Sequence, residues 1–341
     1  MNKKQPQLIS VILPVHNGEQ YVGQAIQSIL DQTYKNFELL ILISATTNKE
    51  SLDVINSFND NRIRLIFRTA DDNLPKALNL GIKEAKGEYI ARMDADDISL
   101  PKRLEKQVEF MNSHPEVGLC GSWCKSFGYG KSTVNKVYTN PEDIRASLLF
   151  NTSLIHPSVM IKKSLFDKFC LSYNENLNHG EDYDLWSRCT NFFHVANIDK
   201  VLLKYRIHDK STSQIFKKET SDVATNIRLR LLNKIDLKPS EEEIRLHNSI
   251  LPKEYQTIKS FIEKEDIWLS KIISQNIKSN IYNSDSLNKI VYKRWRTICG
   301  FNTTQGLKTW KAFKTSPLYK LVTNKKSIDN IKILIKSILK M

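Results

Sequence analysis

The segment Arg92-Met-Asp-Ala-Asp-Asp-Ile98 constrains this chain more than any other. Asp94, Asp96 and Asp97 follow directly on the apolar run Tyr89-Ile-Ala91, a pattern that predicts a buried strand ending in an acidic turn. Three like charges within four residues repel one another. A hard divalent cation, Mg²⁺ or Mn²⁺, relieves that repulsion, because it prefers carboxylate oxygen and bridges to phosphate. The same residues also suit a solvated acidic loop, or an N-cap for a helix from Leu100 onward.

Residues 8–98 alternate between strand and helix signals. Residues 8–14 form a β-branched run closed by Pro14, and His16-Asn-Gly18 is a turn. Residues 19–32 carry an apolar stripe of helical period at Tyr21, Val22, Ala25, Ile26, Ile29 and Leu30. Strands are expected at 37–43 and 63–67, and helices at 51–58 and 75–85. Strands separated by helices require right-handed crossovers and a mostly parallel sheet, the α/β class. Ligands bind outside the carboxyl ends of such strands. Pro14, residues 43–47 and residues 94–97 fall at those ends, so one cleft can collect them. Beyond this half, helices are expected at 101–111 and 181–188, and strands at 117–120, 158–161 and within 195–205. Residues 209–225 are polar and read as a boundary loop; from Asn226 the pattern is helical.

The chain is long enough for two units. It has no apolar run near the ~18–20 residues that cross a bilayer, and its first residues lack the apolar stretch of a secretory signal. A cytoplasmic protein is expected. Five cysteines without a C-x-x-C pair read as buried free thiols; Cys120 and Cys124 alone do not complete a metal site. The net charge of +14 is concentrated at the end: from Lys289 onward thirteen Lys or Arg face one acid, Asp329. Such asymmetry points to an anionic surface. The last segment sets Ile328, Ile331, Leu334, Ile335, Ile338 and Leu339 on one helical face and Lys332, Lys336 and Lys340 on another. This predicts either inner-leaflet contact, which makes the protein peripheral on the inner face of the cell membrane, or a helix packed by its apolar face. No nucleic-acid recognition module is apparent.

The stretches "ISVILPVHNGEQYVGQAIQSILDQTYKNFELLI", "ALNLGIKEAKGEYIARMDADDISLPKRLEKQVEF", "IHPSVM", "EDYDLW" and "YRIHDKSTS" occur here in that order. Together they resemble the bacterial family 2 glycosyltransferases, over roughly residues 8–213. The resemblance implies a GT-A-like, Rossmann-type sheet flanked by helices. It places a glycosyltransferase domain at 1–215, with a donor half at about 8–98 and an acceptor half at about 99–213. A basic helical region at 216–341 would follow. It implies inverting transfer of a hexosyl or N-acetylhexosaminyl group from a nucleotide-diphosphate sugar, a UDP-sugar by default. The acceptor would be a saccharide or a lipid-linked saccharide in lipopolysaccharide or capsule synthesis. By the same resemblance Asp94 and Asp96 match the metal and ribose-diphosphate positions, and His208 a histidine near the metal. Asp182 matches the general base, with Glu181 second. Asn79 and Arg92 match donor-cleft positions; Pro14 and Ser44 lie at neighbouring strand ends. Other roles stay open. Glu181 and Asp182 also suit the cap of a helix, His208 an ordinary surface histidine, His156 the shaping of a turn, and Trp186 the core.

Two stretches depart from the family pattern. After the second strand the family carries "VDDGS", whose aspartate holds the base; here Leu42-Ile-Ser-Ala-Thr-Thr-Asn48 puts Ile43 and Ser44 in place of both acids. Leu171-Ser-Tyr173 stands where Gly-Gly-Tyr is common. The first departure motivates an alternative, a degenerate GT-A domain that binds a glycan or a partner glycosyltransferase without turnover.

Overall fold

Strand β1, Ile9–Val15, is buried at every position but Pro14. It pairs in parallel with β2, Phe37–Ile43, and with β4, Tyr89–Arg92. Helices cover both faces of a central parallel strand, so its sequence is apolar but for Ser10 rather than alternating. β3, Ile63–Phe67, completes this half as an edge strand with Phe67 67% exposed. The crossovers are helices α1 (Val22–Leu30), α2 (Lys49–Asn56) and α3 (Leu74–Glu84). Asn48 and Asn73 cap the second and third by accepting the Ser51 and Lys76 backbone N–H. Gly81 lets α3 approach β1, because a Cβ there would stand 2.7 Å from Ile12. The computed structural model describes residues 6–69, 73–209, 217–249, 258–322 and 328–339.

Past β4 the sheet is mixed rather than parallel. The remaining strands are β5 (Ile98–Ser99), β6 (Val117–Gly128), β7 (Val134–Asn135), β8 (Met160–Lys162) and β9 (His194–Ile207). The order is β3-β2-β1-β4-β8-β6-β9-β5, with β7 on β6. β8 runs antiparallel to both β4 and β6, while β6 and β9 are parallel. β6 extends eight residues past the expected end at 120, through Ser122, Lys125 and Ser126, because β9 supplies a partner along its length. Helices α4 (Arg103–Ser113), α5 (Pro141–Ser147), α6 (Lys163–Lys168) and α7 (Glu181–Cys189) join these strands.

The chain forms two compact units. The first comprises residues 1–141 and 152–224 and holds the sheet. The second comprises residues 142–151 and 225–341. Its helices include α8 (Lys217–Lys234, which begins in the first unit), α9 (Glu241–Asn248), α10 (Ile258–Ser279), α11 (Ser284–Phe301), α12 (Leu307–Thr315) and α13 (Ile328–Leu339). Helix α8 thus occupies part of the stretch expected as a loop; residues 210–216 lie outside the described residues. Residues 142–151 join the second unit through long-range bonds: Arg228 Nε donates to the Phe150 carbonyl at 2.8 Å, and His247 Nε2 meets the Leu149 carbonyl at 2.7 Å. Cys120, Cys124, Cys189 and Cys299 are buried free thiols as expected, whereas Cys170 is exposed. No described helix is long and apolar enough to cross a membrane.

Within α10, Glu265 is fully buried, and neither carboxylate oxygen has a hydrogen-bond partner among the described residues. Burial pushes its pKa up to about 8, against a smaller opposing pull from Arg294. The folded state therefore keeps a proton that the unfolded chain releases near 4.5, and stability falls as pH rises between those values. Glu265→Gln removes that loss. Its melting temperature should exceed the parent's by a margin that grows from pH 5 to pH 8 and then levels off; a margin independent of pH would show that Glu265 does not hold the proton.

Candidate active site

The acidic turn sits where the strand pattern places it, at the carboxyl end of β4. Met93 donates its N–H to the Ile12 carbonyl, and Arg92 donates its own to Val159, so the turn starts from a fixed point. Below it Arg103, fully buried on α4, donates to the Arg92 carbonyl at 2.6 Å and to Gln107 Oε1 at 3.1 Å. The carboxylates of Asp94, Asp96 and Asp97 offer ligand atoms within 4.8 Å of one another. Arg92 grips Asp94 with both terminal nitrogens at 2.5 Å. His208 Nε2 lies 2.8 Å from Asp96 Oδ2.

Arg206, on β9, braces the turn from a third direction. Its backbone N–H donates to Asp97 Oδ1 at 2.8 Å and its Nε to the Asp96 carbonyl at 2.6 Å. Its guanidinium stacks over Tyr21 at 4.3 Å and Phe127 at 4.4 Å. Sequence reasoning missed this residue, although it stands in the Tyr-Arg-Ile-His run; no local pattern tells that β9 will return beside β5.

The charge balance fits a cation. Burial raises the pKa of Asp94, and repulsion from Asp96 adds to it, outweighing the pull of Arg92. Asp97 is likewise pushed up by burial and by both neighbours, and its Oδ2 is buried without a partner among the described residues. Such a set of hard oxygen donors is short of positive charge and suits Mg²⁺ or Mn²⁺.

A cleft of about 900 Å³ opens beside the turn. Pro14, Ser44, Asp94, Asp96 and His208 all line it, together with Arg68. Tyr129 lines it too, on a loop held by positive φ at Gly128 and Gly130. Ser44 and Thr46 face one another there at 3.1 Å. Ile43, by contrast, is 1% exposed and belongs to the core, so of the two positions lacking an acid only Ser44 faces the cleft.

Asn79 and Arg92 are placed differently from the cleft residues. Neither lines it. Asn79 holds the segment after α6: its Oδ1 accepts the Tyr173 N–H at 2.8 Å, and its Nδ2 donates to Glu175 Oε1 at 2.9 Å. Arg92 is buried behind Asp94, and its charge also acts on Tyr173, Glu181, Asp182 and His156.

Glu181 and Asp182 open α7, after Gly180 at a left-handed φ of 74°. Both have raised pKa values, chiefly through burial; for Glu181 the neighbouring Asp182 adds repulsion. His156 begins a 3-10 turn, His156–Ser158, and also stands 3.7 Å from Glu181 Oε1, with Nε2 on the Tyr173 hydroxyl at 2.9 Å. Burial, and then Arg92, pushes the His156 pKa well down, so the imidazole is neutral. Trp186 is wholly buried and is core.

The sequence of the Glycosyl transferase family 2 matches residues 10–169. The O-antigen biosynthesis glycosyltransferase WbnJ of Escherichia coli is 36% identical over 217 residues, covering 61% of this chain and 82% of WbnJ. This chain belongs to glycosyltransferase family 2. Among solved structures, S. aureus TarS 1-349 with UDP-GlcNAc aligns at a TM-score of 0.54 and 17% identity, over 86% of this chain and 89% of that one. The mannosyltransferase PcManGT of Pyrobaculum calidifontis, with GDP-Man and Mn²⁺, aligns at 0.53 and 14% identity, over 98% and 88%. The fold of this family 2 enzyme is therefore GT-A-like, a mixed sheet flanked by helices with a helical C-terminal region.

Replacing Arg206 by Leu keeps an apolar stem between Tyr21 and Phe127 but removes the bond to the Asp96 carbonyl. The loss of that bond, about 1.5–3 kcal/mol, and of the exposed one from Nη2 to Gln24 Oε1 should lower the melting temperature by several degrees. The added stabilisation by Mn²⁺ should shrink as well. An unchanged Mn²⁺ response would separate Arg206 from the acidic turn.

Proposed function

We propose that this enzyme transfers a hexosyl or N-acetylhexosaminyl group, with inversion, from a nucleotide-diphosphate sugar to a saccharide or lipid-linked acceptor in surface polysaccharide synthesis. A UDP-sugar is the default donor. The observation that carries this reading is the buried Arg92, which pairs with Asp94 and whose charge also acts on Glu181 and Asp182. Donor-side and acceptor-side acids thus share one organising cation. The solved neighbours that bind UDP-GlcNAc and GDP-Man with Mn²⁺ support a nucleotide sugar and a divalent ion. WbnJ supports a role in polysaccharide synthesis.

In this reading Asp94 and Asp96 hold Mg²⁺ or Mn²⁺, and His208 orients Asp96 through its hydrogen bond. The cation supplies charge stabilisation for the departing diphosphate. Pro14 and Ser44 border the nucleotide. Asn79 acts on the donor side through the Tyr173–Glu175 segment that it holds. Asp182 removes the proton from the acceptor hydroxyl, with Glu181 as second choice. The acceptor oxygen then bonds to the anomeric carbon as the bond to the diphosphate oxygen breaks, and the nucleoside diphosphate leaves with the electron pair. A carboxylate with a raised pKa is the better base for this step. Transfer should accordingly rise with pH above the ordinary carboxylate range, as the Glu181–Asp182 pair gives up its shared proton.

The test is a melting screen of nucleotide-diphosphate sugars with and without Mn²⁺, since binding to the native state alone stabilises it. Asp96→Ala is the cleaner metal variant, because Asp94→Ala also strands the buried Arg92 charge. Asp96→Ala should abolish the Mn²⁺-dependent part of donor stabilisation while leaving the ligand-free melting temperature nearly unchanged. Donor stabilisation that survives both this substitution and chelator sinks the metal assignment.

The base is tested separately. Asp182→Asn keeps the shape and should leave donor affinity near the parent value while lowering transfer by roughly 10²–10⁴-fold. Transfer within a few-fold of the parent moves the base to Glu181.

A further inference from the structure

Helix α13 turns its polar side inward. Its buried residues are Asn330, Ile333 and Ser337. Asn330 Nδ2 donates to the Tyr292 hydroxyl of α11 at 2.9 Å, and Ile333 packs beside Gly300 of the same helix. Most of the apolar stripe faces out; Leu334 is half-buried, and the side chain of Ile328 lies outside the described residues. Ile331, Ile335, Ile338 and Leu339 are 57%, 49%, 59% and 60% exposed. Their spacing of i, i+4, i+7 and i+8 sets them on one face, about 150° round from the buried residues. Lys332 and Lys336 are exposed on the flank beyond the stripe.

Two further large apolar side chains lie in the same unit, next to elements that touch α13. Phe301 ends α11 and Leu307 begins α12, 60% and 58% exposed. The 3-10 turn between them, Thr303–Gln305, packs against α13, as does α12. Lys308, Lys311 and Lys314 are exposed along α12. Soluble monomers rarely expose so much apolar surface in one region without a partner.

The chemistry of this face selects among partners. A second copy would bring the same lysines against these, and like charges oppose that pairing. A nucleic acid would satisfy the lysines but not the isoleucines. An anionic bilayer offers apolar depth for the one set and headgroup charge for the other. Twelve residues of helix reach about 18 Å, too short to span, so α13 lies along the interface rather than across it.

We propose that this face docks on an anionic membrane surface, with Ile331, Ile335, Ile338 and Leu339 entering the headgroup boundary and Lys332 and Lys336 meeting lipid phosphates. This goes beyond the transferase reading, and each stands or falls without the other.

The test uses the full chain and co-sedimentation with phosphatidylcholine vesicles, with and without phosphatidylglycerol. The parent should bind the phosphatidylglycerol vesicles, and more weakly in high salt. The double variant Ile335→Ser with Ile338→Ser should lose at least about tenfold in affinity for them. The double variant Lys332→Gln with Lys336→Gln should lose about 25-fold, at about fivefold per lysine. Without vesicles both variants should melt with the parent, because the substituted side chains are exposed. Parent protein that ignores the vesicles, or variants that bind like the parent, overturn the proposal. So does an isoleucine variant that melts lower, since the stripe would then be packed in the fold. A parent dimer that this variant dissociates would name a second copy as the occupant instead.

Discussion

The site is organised around one buried guanidinium. Arg92 is almost fully removed from water, and an isolated charge in that position is untenable. Asp94 answers it with two short bonds, which fixes the direction in which the acidic turn leaves β4. Arg103 holds the Arg92 carbonyl from below, so the pivot itself cannot rotate. Burial raises the pKa values of Asp182 and Tyr173 and lowers that of His156; the same positive charge opposes the first two shifts and adds to the third. Truncating Asp94 would leave the Arg92 charge buried and unpaired, a loss of about 3–5 kcal/mol. The acids read as donor-side and those read as acceptor-side therefore depend on a single electrostatic tie.

Much of this was legible in the amino-acid order. β1, β2 and β4 are mostly apolar runs, broken only by the buried Ser10, Glu38 and Arg92, because they are buried on both faces, and such runs announce themselves. The acidic turn and the gathering of Pro14, Ser44, Asp94 and Asp96 at one cleft also follow from their places at strand ends, and the family resemblance adds His208. What stayed hidden depends on partners distant in the chain. β6 carries Ser, Lys and Gly and has no strand signature past Cys120; it is a strand there because β9 lies beside it. Arg206 looks like one more basic residue until β9 brings it to the carbonyl of Asp96. Ile43 and Ser44 look equivalent as replacements of missing acids, yet strand geometry buries one and presents the other. Any return of an acid to this edge of the cleft must pass through position 44, since a carboxylate at 43 would enter the core.

The last helix shows a different limit. Periodicity reveals which residues share a face, but not which face meets the body of the protein. For α13 the apolar stripe invited the guess that it packs inward, as one of two readings. The contact is made instead by Asn330, Ile333 and Ser337, with the Tyr292 hydroxyl offering Asn330 a partner. A polar residue with a waiting hydrogen bond outcompeted the larger apolar ones for the buried side.

The ten residues 142–151 carry a consequence for how the chain is made. Ile144, Leu148, Leu149 and Phe150 are buried in the second unit. The ring of Phe150 lies under Arg294 at 4.8 Å, and Lys289 pairs with Asp143. During synthesis this apolar decapeptide leaves the ribosome well before Arg228, His247, Lys289 and Arg294 exist to receive it. At ~5–20 residues per second, it waits several seconds for them. Shortening the gene from its 3′ end would make that wait permanent, so the sheet unit cannot be liberated by simple truncation without leaving a sticky loop behind.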